Sequence, residues 1–240
     1  MKKLLIYLAI FFFVGCTSIN TPQDNNTTTE ATPVANFNYS PTTVREGQTI
    51  TFTNTSTDYD HCVWDFGDNS YQAAATNPTK TFLSGVWTVK LTCYSKSGAK
   101  QTSTTKTVNV LPAYTKLYVA SYTVNKISFL NSSSVSWDGS DGPDIYLNVY
   151  DNLTSASVYK EPTYQSDVVQ SNIPYTKTFA LTFNTLTKNY TIYMYDYDWP
   201  TSDDLMSSFN LKISDYIPSY PTSIVLTNGS FQITLNLQWQ

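Results

Sequence analysis

Histidine is nearly absent: His61 is the single one in 240 residues. One imidazole, beside Cys62 near the start of a strand-like run, gives little from which to build a Ser-His-Asp or Cys-His arrangement, and a histidine-rich zinc site is impossible. Glycine is scarce too, and no glycine-rich loop able to cradle a phosphate occurs. Charged residues are only 13% of the chain and the formal net charge is −4, which disfavours nucleic acid as a partner. Helix-favouring residues are few. The long apolar run, Leu4 to Val14, is too short to span a bilayer as a mature helix.

What is present is aromatic and β-forming. Aromatic residues make up 15% of the chain, 19 of them tyrosines, alongside abundant threonine, serine and valine. This is an all-β composition, long enough for one large or two small domains. Strand-like runs recur at Ala35–Tyr39, Thr49–Asn54, Cys62–Phe66, Lys80–Phe82, Val86–Tyr94 and Thr104–Val110. A second series follows at Lys116–Phe129, Asp144–Tyr150, Thr178–Phe183, Asn189–Tyr195, Phe209–Ile213, Ser223–Leu226 and Phe231–Trp239. Asn228-Gly229 between the last two is a strong hairpin signal. The spacing predicts two consecutive antiparallel β-sandwiches, over 33–112 and 113–240.

The chain begins Met1-Lys2-Lys3, then the apolar run, then Gly15-Cys16 and a polar stretch. That order fits a secretory leader over 1–15. Phe13-Val14-Gly15-Cys16 resembles the bacterial lipoprotein signal, or lipobox, with phenylalanine where leucine is usual. The resemblance implies cleavage before Cys16 and acylation (palmitate among the chains) of its thiol and new amino group. The expected residence is the bacterial cell envelope. Thr17 stands where an aspartate would signal inner-membrane retention, which favours the outer membrane. Residues 16–32 are polar and read as a flexible tether.

In the first predicted sandwich, Trp64-Asp65-Phe66-Gly67-Asp68 is followed by Asn77-Pro78-Thr79-Lys80-Thr81-Phe82 and Gly85-Val86-Trp87-Thr88-Val89-Lys90-Leu91. These segments resemble the PKD domain, an Ig-like sandwich, and the resemblance covers roughly Pro33 to Leu111. It implies a spacer or binding accessory without chemistry. Trp64 and Phe66 alternate onto the core face, with Asp65 outward. Cys62 and Cys93 share the parity of Trp64 and Leu91, and in an Ig-like sheet their strands would be neighbours. A disulfide is expected; two buried thiols are the alternative.

The acidity is uneven. Residues 33–112 carry six Lys/Arg against five Asp/Glu, whereas 113–240 carry six against eleven. Seven of those eleven acids fall in two segments, Asp138-Gly139-Ser140-Asp141-Gly142-Pro143-Asp144 and Asp196-Tyr197-Asp198-Trp199-Pro200-Thr201-Ser202-Asp203-Asp204. Each segment ends or begins a strand-like run and reads as a loop. Crowded carboxylates repel, and a hard cation relieves the repulsion while taking several oxygens at once. The bland alternative is that aspartate and glycine merely turn the chain.

DGSDGPDIYLNVYD and YDYDWPTSDDLMSSFNLKI resemble the C2 domain, a calcium-binding sandwich. Two aspartates six apart precede a strand in its first loop, and Asp-x-Asp-x5-Asp occupies its third. The resemblance implies calcium ligands at Asp138, Asp144, Asp196, Asp198 and Asp204, with the carbonyls of Trp137 and Tyr197 as additions. Asp141 and Asp203 read as outer or surface acids. Ser207 stands where the family carries glycine, and the basic strand cluster that many C2 domains use for phosphoinositides has no equivalent. The calcium part of the resemblance therefore transfers, and lipid docking through the loops does not. Trp199 lies at the predicted tip of the second acidic loop, either exposed to a ligand or folded onto the sandwich end.

The expected protein is non-catalytic: aspartates on polar loops offer no apolar pocket to hold one of them protonated as a glycosidase acid. It is a lipid-anchored envelope protein whose PKD spacer carries a calcium-binding, C2-like module for a ligand or protein partner. A carbohydrate-binding or hydrolytic accessory is the first alternative and a purely structural stalk the second.

Overall fold

The computed structural model describes residues 29–72, 75–139 and 141–240. The leader, Cys16 and nearly all of the tether lie outside the described residues. The fold is all-β, in two sandwiches.

The first sandwich contains β1 (Phe37–Ser40), β2 (Val44–Arg45), β3 (Ile50–Asn54), β4 (His61–Asp65), β5 (Tyr71–Gln72), β6 (Thr79–Lys80), β7 (Gly85–Tyr94) and β8 (Gln101–Leu111). They form one sheet in the order β1-β3-β6 and another in the order β2-β8-β7-β4-β5. Pairing is antiparallel apart from the two-residue parallel contact of β2 with β8. β2 and β5 are too short to leave an alternation in the sequence. Phe82, expected in a strand, lies just past β6 but is still buried.

Strand alternation places Trp64 in the core, with Phe66 just beyond the end of β4, and both are fully buried. The rings of Phe37 and Phe52 lie 5.0 and 5.7 Å from that of Trp64. Gly67 has a φ of +75°, and a Cβ there would stand 2.7 Å from the Thr88 carbonyl oxygen, so the turn after the tryptophan strand requires glycine. Lys80 reaches the same turn through a 2.6 Å ion pair with Asp68. Cys62 and Cys93 face each other in the β4–β7 register and are joined by a disulfide, with a Cα–Cα distance of 4.0 Å.

The second sandwich contains β9 (Leu117–Lys126), β10 (Ile145–Asp151), β11 (Ser157–Lys160), β12 (Tyr175–Phe183), β13 (Asn189–Asp196), β14 (Asp204–Lys212), β15 (Ser223–Asn228) and β16 (Phe231–Trp239). Its sheets run β11-β10-β13-β14 and β12-β9-β16-β15. Leu117, Val119, Leu147, Ile192, Leu235 and their neighbours fill the space between them. The pairings Ile145↔Asp196, Tyr175↔Val124 and Gln232↔Lys126 bring one end of every strand to the same edge of the sandwich. Three loops, 127–144, 161–174 and 197–203, therefore share that end with the β15–β16 hairpin.

The sequence reading omits β11, a four-residue edge strand. It also starts β14 too late, at Phe209. Asp204, read as a loop residue, is the first residue of that strand. Between the sandwiches, the Arg45 guanidinium lies 3.7 Å from the centre of the Tyr114 ring, and Gln48 Nε2 donates to the Pro218 carbonyl at 2.9 Å.

Candidate metal centre

β13 alternates Tyr190, Ile192 and Met194 onto the core, and the next position in that series is Asp196. A carboxylate thus occupies a slot that the pleat assigns to an apolar side chain. Asp196 is completely buried. Its Oδ1 accepts the Asp144 backbone N–H at 2.7 Å, while its Oδ2 has no hydrogen-bond partner.

Asp138 and Asp198 bring one carboxylate oxygen each to within 4.8 Å of an oxygen of Asp196. Two carboxylates offer acceptors only, so a proton or a cation must join them. Asp144 stands beside this trio immediately before β10. Its Oδ1 accepts the Asp167 N–H at 2.9 Å, and its carbonyl accepts the Tyr197 N–H at 2.8 Å, tying all three loops together. Asp204 is exposed and lies opposite Asp196 in the β13–β14 register. Asp203 is engaged elsewhere: its two oxygens accept from Tyr146 Oη at 2.5 Å and from the Asp198 N–H at 3.2 Å. Of the five sequence-predicted ligands, the structure groups three closely and sets the other two at the edge of the group.

Electrostatics follow from this crowding. Burial first, and then the charges of Asp138, Asp198 and Asp144, push the Asp196 carboxyl up to about 7, against the Asp144 N–H that favours its ionised form. Burial and the neighbouring Asp198 and Asp144 charges raise Asp138. Burial and the charge of Asp204 raise Asp198.

Loop 161–174 is the part that sequence reasoning missed. Val168 donates its N–H to the Pro143 carbonyl, and a Cβ on Gly142 would sit 1.9 Å from the Val168 carbonyl oxygen. Only glycine permits that backbone approach. Asp167, an acid between strand-like runs, was the available signal. The same loop supplies Tyr164, whose ring stacks on Tyr197 at 4.5 Å. Trp199 is 83% exposed at the tip of loop 197–203. With Trp137 these rings bound an open cleft of about 500 Å³ above the aspartates.

Away from this end, His61 lies on the surface, stacked on Tyr94 and 3.0 Å from an Asp60 oxygen. Glu161 is buried and satisfied by Lys177, Tyr122 and the Leu147 N–H.

Residues 30–110 match the family model of the PKD domain, and the first sandwich is a PKD domain. The PKD1 domain of Vibrio anguillarum Epp is a similar solved structure, 28% identical, covering 35% of this chain and 98% of its own, with a TM-score of 0.30. A second solved chain, described with the promiscuous specificity of carbohydrate-binding modules from the β-sandwich superfamily, is 13% identical. It covers 88% of this chain and 92% of its own, with a TM-score of 0.33. Neither likeness is close enough to pass a ligand to the second sandwich. No curated protein matches the chain.

Proposed function

We propose that this is a non-catalytic envelope lipoprotein whose PKD spacer presents a calcium-binding module. Asp138, Asp196 and Asp198 would hold the ion, with Asp144 and Asp204 completing the carboxylate set. The observation that carries the reading is the fully buried Asp196, whose second oxygen lacks a partner and whose carboxylate lies within 4.8 Å of those of Asp138 and Asp198. A solvated turn has no reason to bury an unpaired carboxylate, whose desolvation costs several kcal/mol at ~pH 8. Calcium takes six to eight oxygens and tolerates irregular geometry, which suits an all-carboxylate group.

The ion would supply positive charge that ties the loops together. The chain's own contribution is to position the donors. The register of β10 with β13 sets Asp144 beside Asp196. The Gly142–Val168 contact holds the first loop against the middle one. The lipid expected on Cys16 would supply the membrane anchor, leaving the acidic end free for a ligand.

Calorimetric titration of calcium into the full chain in detergent tests the assignment, with Asp198→Asn as control. Saturable binding with a dissociation constant of roughly 1 mM or tighter is expected, weakened by the substitution. The absence of any binding at millimolar calcium would falsify it and leave a structural stalk as the better description.

A further inference from the structure

Resting on the calcium reading, we infer that the ligand of the loop end is a neutral glycan, held by hydroxyl oxygens on the bound ion and by ring stacking on Tyr164, Tyr197 and Trp199. Three observations converge on it.

The first is charge. Asp138, Asp141, Asp144, Asp167 and Asp198 line the cleft, Asp196 lies beneath it, and among the described residues no lysine or arginine joins the lining. Six formal negative charges exceed the four positive charges of even two calcium ions. A phosphate or carboxylate ligand would enter a site that stays negative, whereas an uncharged polyol meets no such penalty.

The second is shape. Tyr164 and Tyr197 stack face to face at 4.5 Å with planes within 12°, so their inner faces cover each other and the outer ring faces are what the pair offers to a sugar beside the acids. Trp199 projects its ring into solvent with no packing reason to be there. The C–H face of a pyranose ring is apolar while its edge carries hydroxyls. A site with an aromatic face on one side and a coordinating cation on the other fits both.

The third is extent. A second hollow of about 200 Å³ shares Tyr164 and Tyr197 with the first. It offers Lys160, Thr163 and Asp203 as polar groups. Two hollows flanking one pair of rings suit a ligand of several sugar units rather than a monosaccharide. Coordination of calcium by adjacent hydroxyls requires a vicinal diol at one of those units.

The test uses the full chain in detergent, titrated with neutral hexasaccharides of mannose, xylose, glucose and galactose. Titrations run in millimolar calcium and again in excess chelator, beside vesicles containing phosphatidylserine. Binding to at least one hexasaccharide is expected in calcium and should vanish in chelator. Trp199→Ala and Tyr164→Ala, both at exposed positions, should each weaken it roughly tenfold while calcium binding without sugar stays unchanged. Calcium binding without retention of any hexasaccharide overturns the glycan inference and leaves the metal reading standing. Glycan binding indifferent to chelator overturns it as well, because the site would then lie elsewhere. Calcium-dependent capture by the vesicles alone identifies an anionic lipid surface and refutes it. A chain that binds no calcium removes both readings together.

Discussion

Asp196→Asn separates burial of a charge from every other effect at the loop end. In the native chain without calcium, the Asp196 carboxyl holds its proton up to about 7, against an ordinary value of 3.8. Between those two values the folded state binds a proton that the unfolded state has lost, so stability falls as the pH rises through the window and levels off above it. That gap corresponds to at most ~4 kcal/mol, and relaxation of the loops brings the expected figure to about 2–4 kcal/mol. Asp138 and Asp198 compete for the same proton, so the step belongs to the trio rather than to one residue. The asparagine variant keeps an acceptor for the Asp144 N–H but cannot ionise. Its new amide N–H costs about 1–3 kcal/mol if unpartnered, an offset independent of pH. The readout is therefore the pH dependence of the difference in stability between variant and wild type, measured in chelator by thermal unfolding of the second sandwich. From pH 4 to pH 8 the difference should move in favour of the variant by roughly 8–16 °C, taking ~4 °C per kcal/mol for a domain of this size. In saturating calcium the difference moves the other way: wild type gains about 3 kcal/mol at a hundredfold excess over the dissociation constant and the variant gains little. A difference in chelator that is flat from pH 4 to pH 8 refutes the claim that a buried, unpaired carboxylate lies at this position.

Three further outcomes follow from contacts elsewhere. Gly142→Ala should cost about 1–3 kcal/mol and weaken calcium binding, since its Cβ would overlap the Val168 carbonyl and push two loops apart; paired unfolding and calorimetric measurements check both. Lys177→Met should destabilise by roughly 3 kcal/mol because it strips the buried Glu161 of its ion-pair partner, and adding Glu161→Gln should recover part of that loss in a denaturant titration. Peptide mapping without reductant should recover Cys62 and Cys93 as one linked species, and reduction should lower stability by about 4 kcal/mol for a separation of 31 residues; recovery of two free thiols counts against the bond.

The sandwiches were legible because alternation is a local signal: Phe179, Leu181 and Phe183 announce a core face with no knowledge of what packs on it. β2, β5 and β11 were not, because two to four residues carry too little alternation. The acidic loops were legible as charge and spacing. Their geometry was not: nothing local states that Asp144 turns one oxygen to Asp167, or that Gly142 must clear Val168, since both contacts join residues more than 20 positions apart. One signal was legible and passed over. Tyr190, Ile192, Met194 and Asp196 form a single alternating series, so the aspartate belonged to the core face and not to the loop.

That series bears on why the loop end should be functional at all. Natural sequences are locally consistent, and conflicts between pattern and chemistry gather where something other than folding is selected. Across the second sandwich the inward positions of β9, β10, β13 and β16 carry apolar side chains except at Asp151 and Asp196, and of these two Asp151 is paired with Lys188 whereas the charged groups beside Asp196 are other carboxylates. A turn-forming aspartate would be solvated, and its carboxyl would not be driven up by burial. Asp196 is neither solvated nor fully bonded, and Asp138 and Asp198 face it. A proton or a cation can each resolve the conflict, and they compete for the same oxygens. Above a pH of about 7 the proton leaves, and the penalty returns unless a cation takes its place. On the envelope residence proposed above, a dissociation constant of roughly 0.1–1 mM, the range of extracellular calcium modules, would be enough. On the calcium reading proposed above, the misplaced carboxylate, a folding liability in the empty chain, would become the reason that three separate loops hold one arrangement.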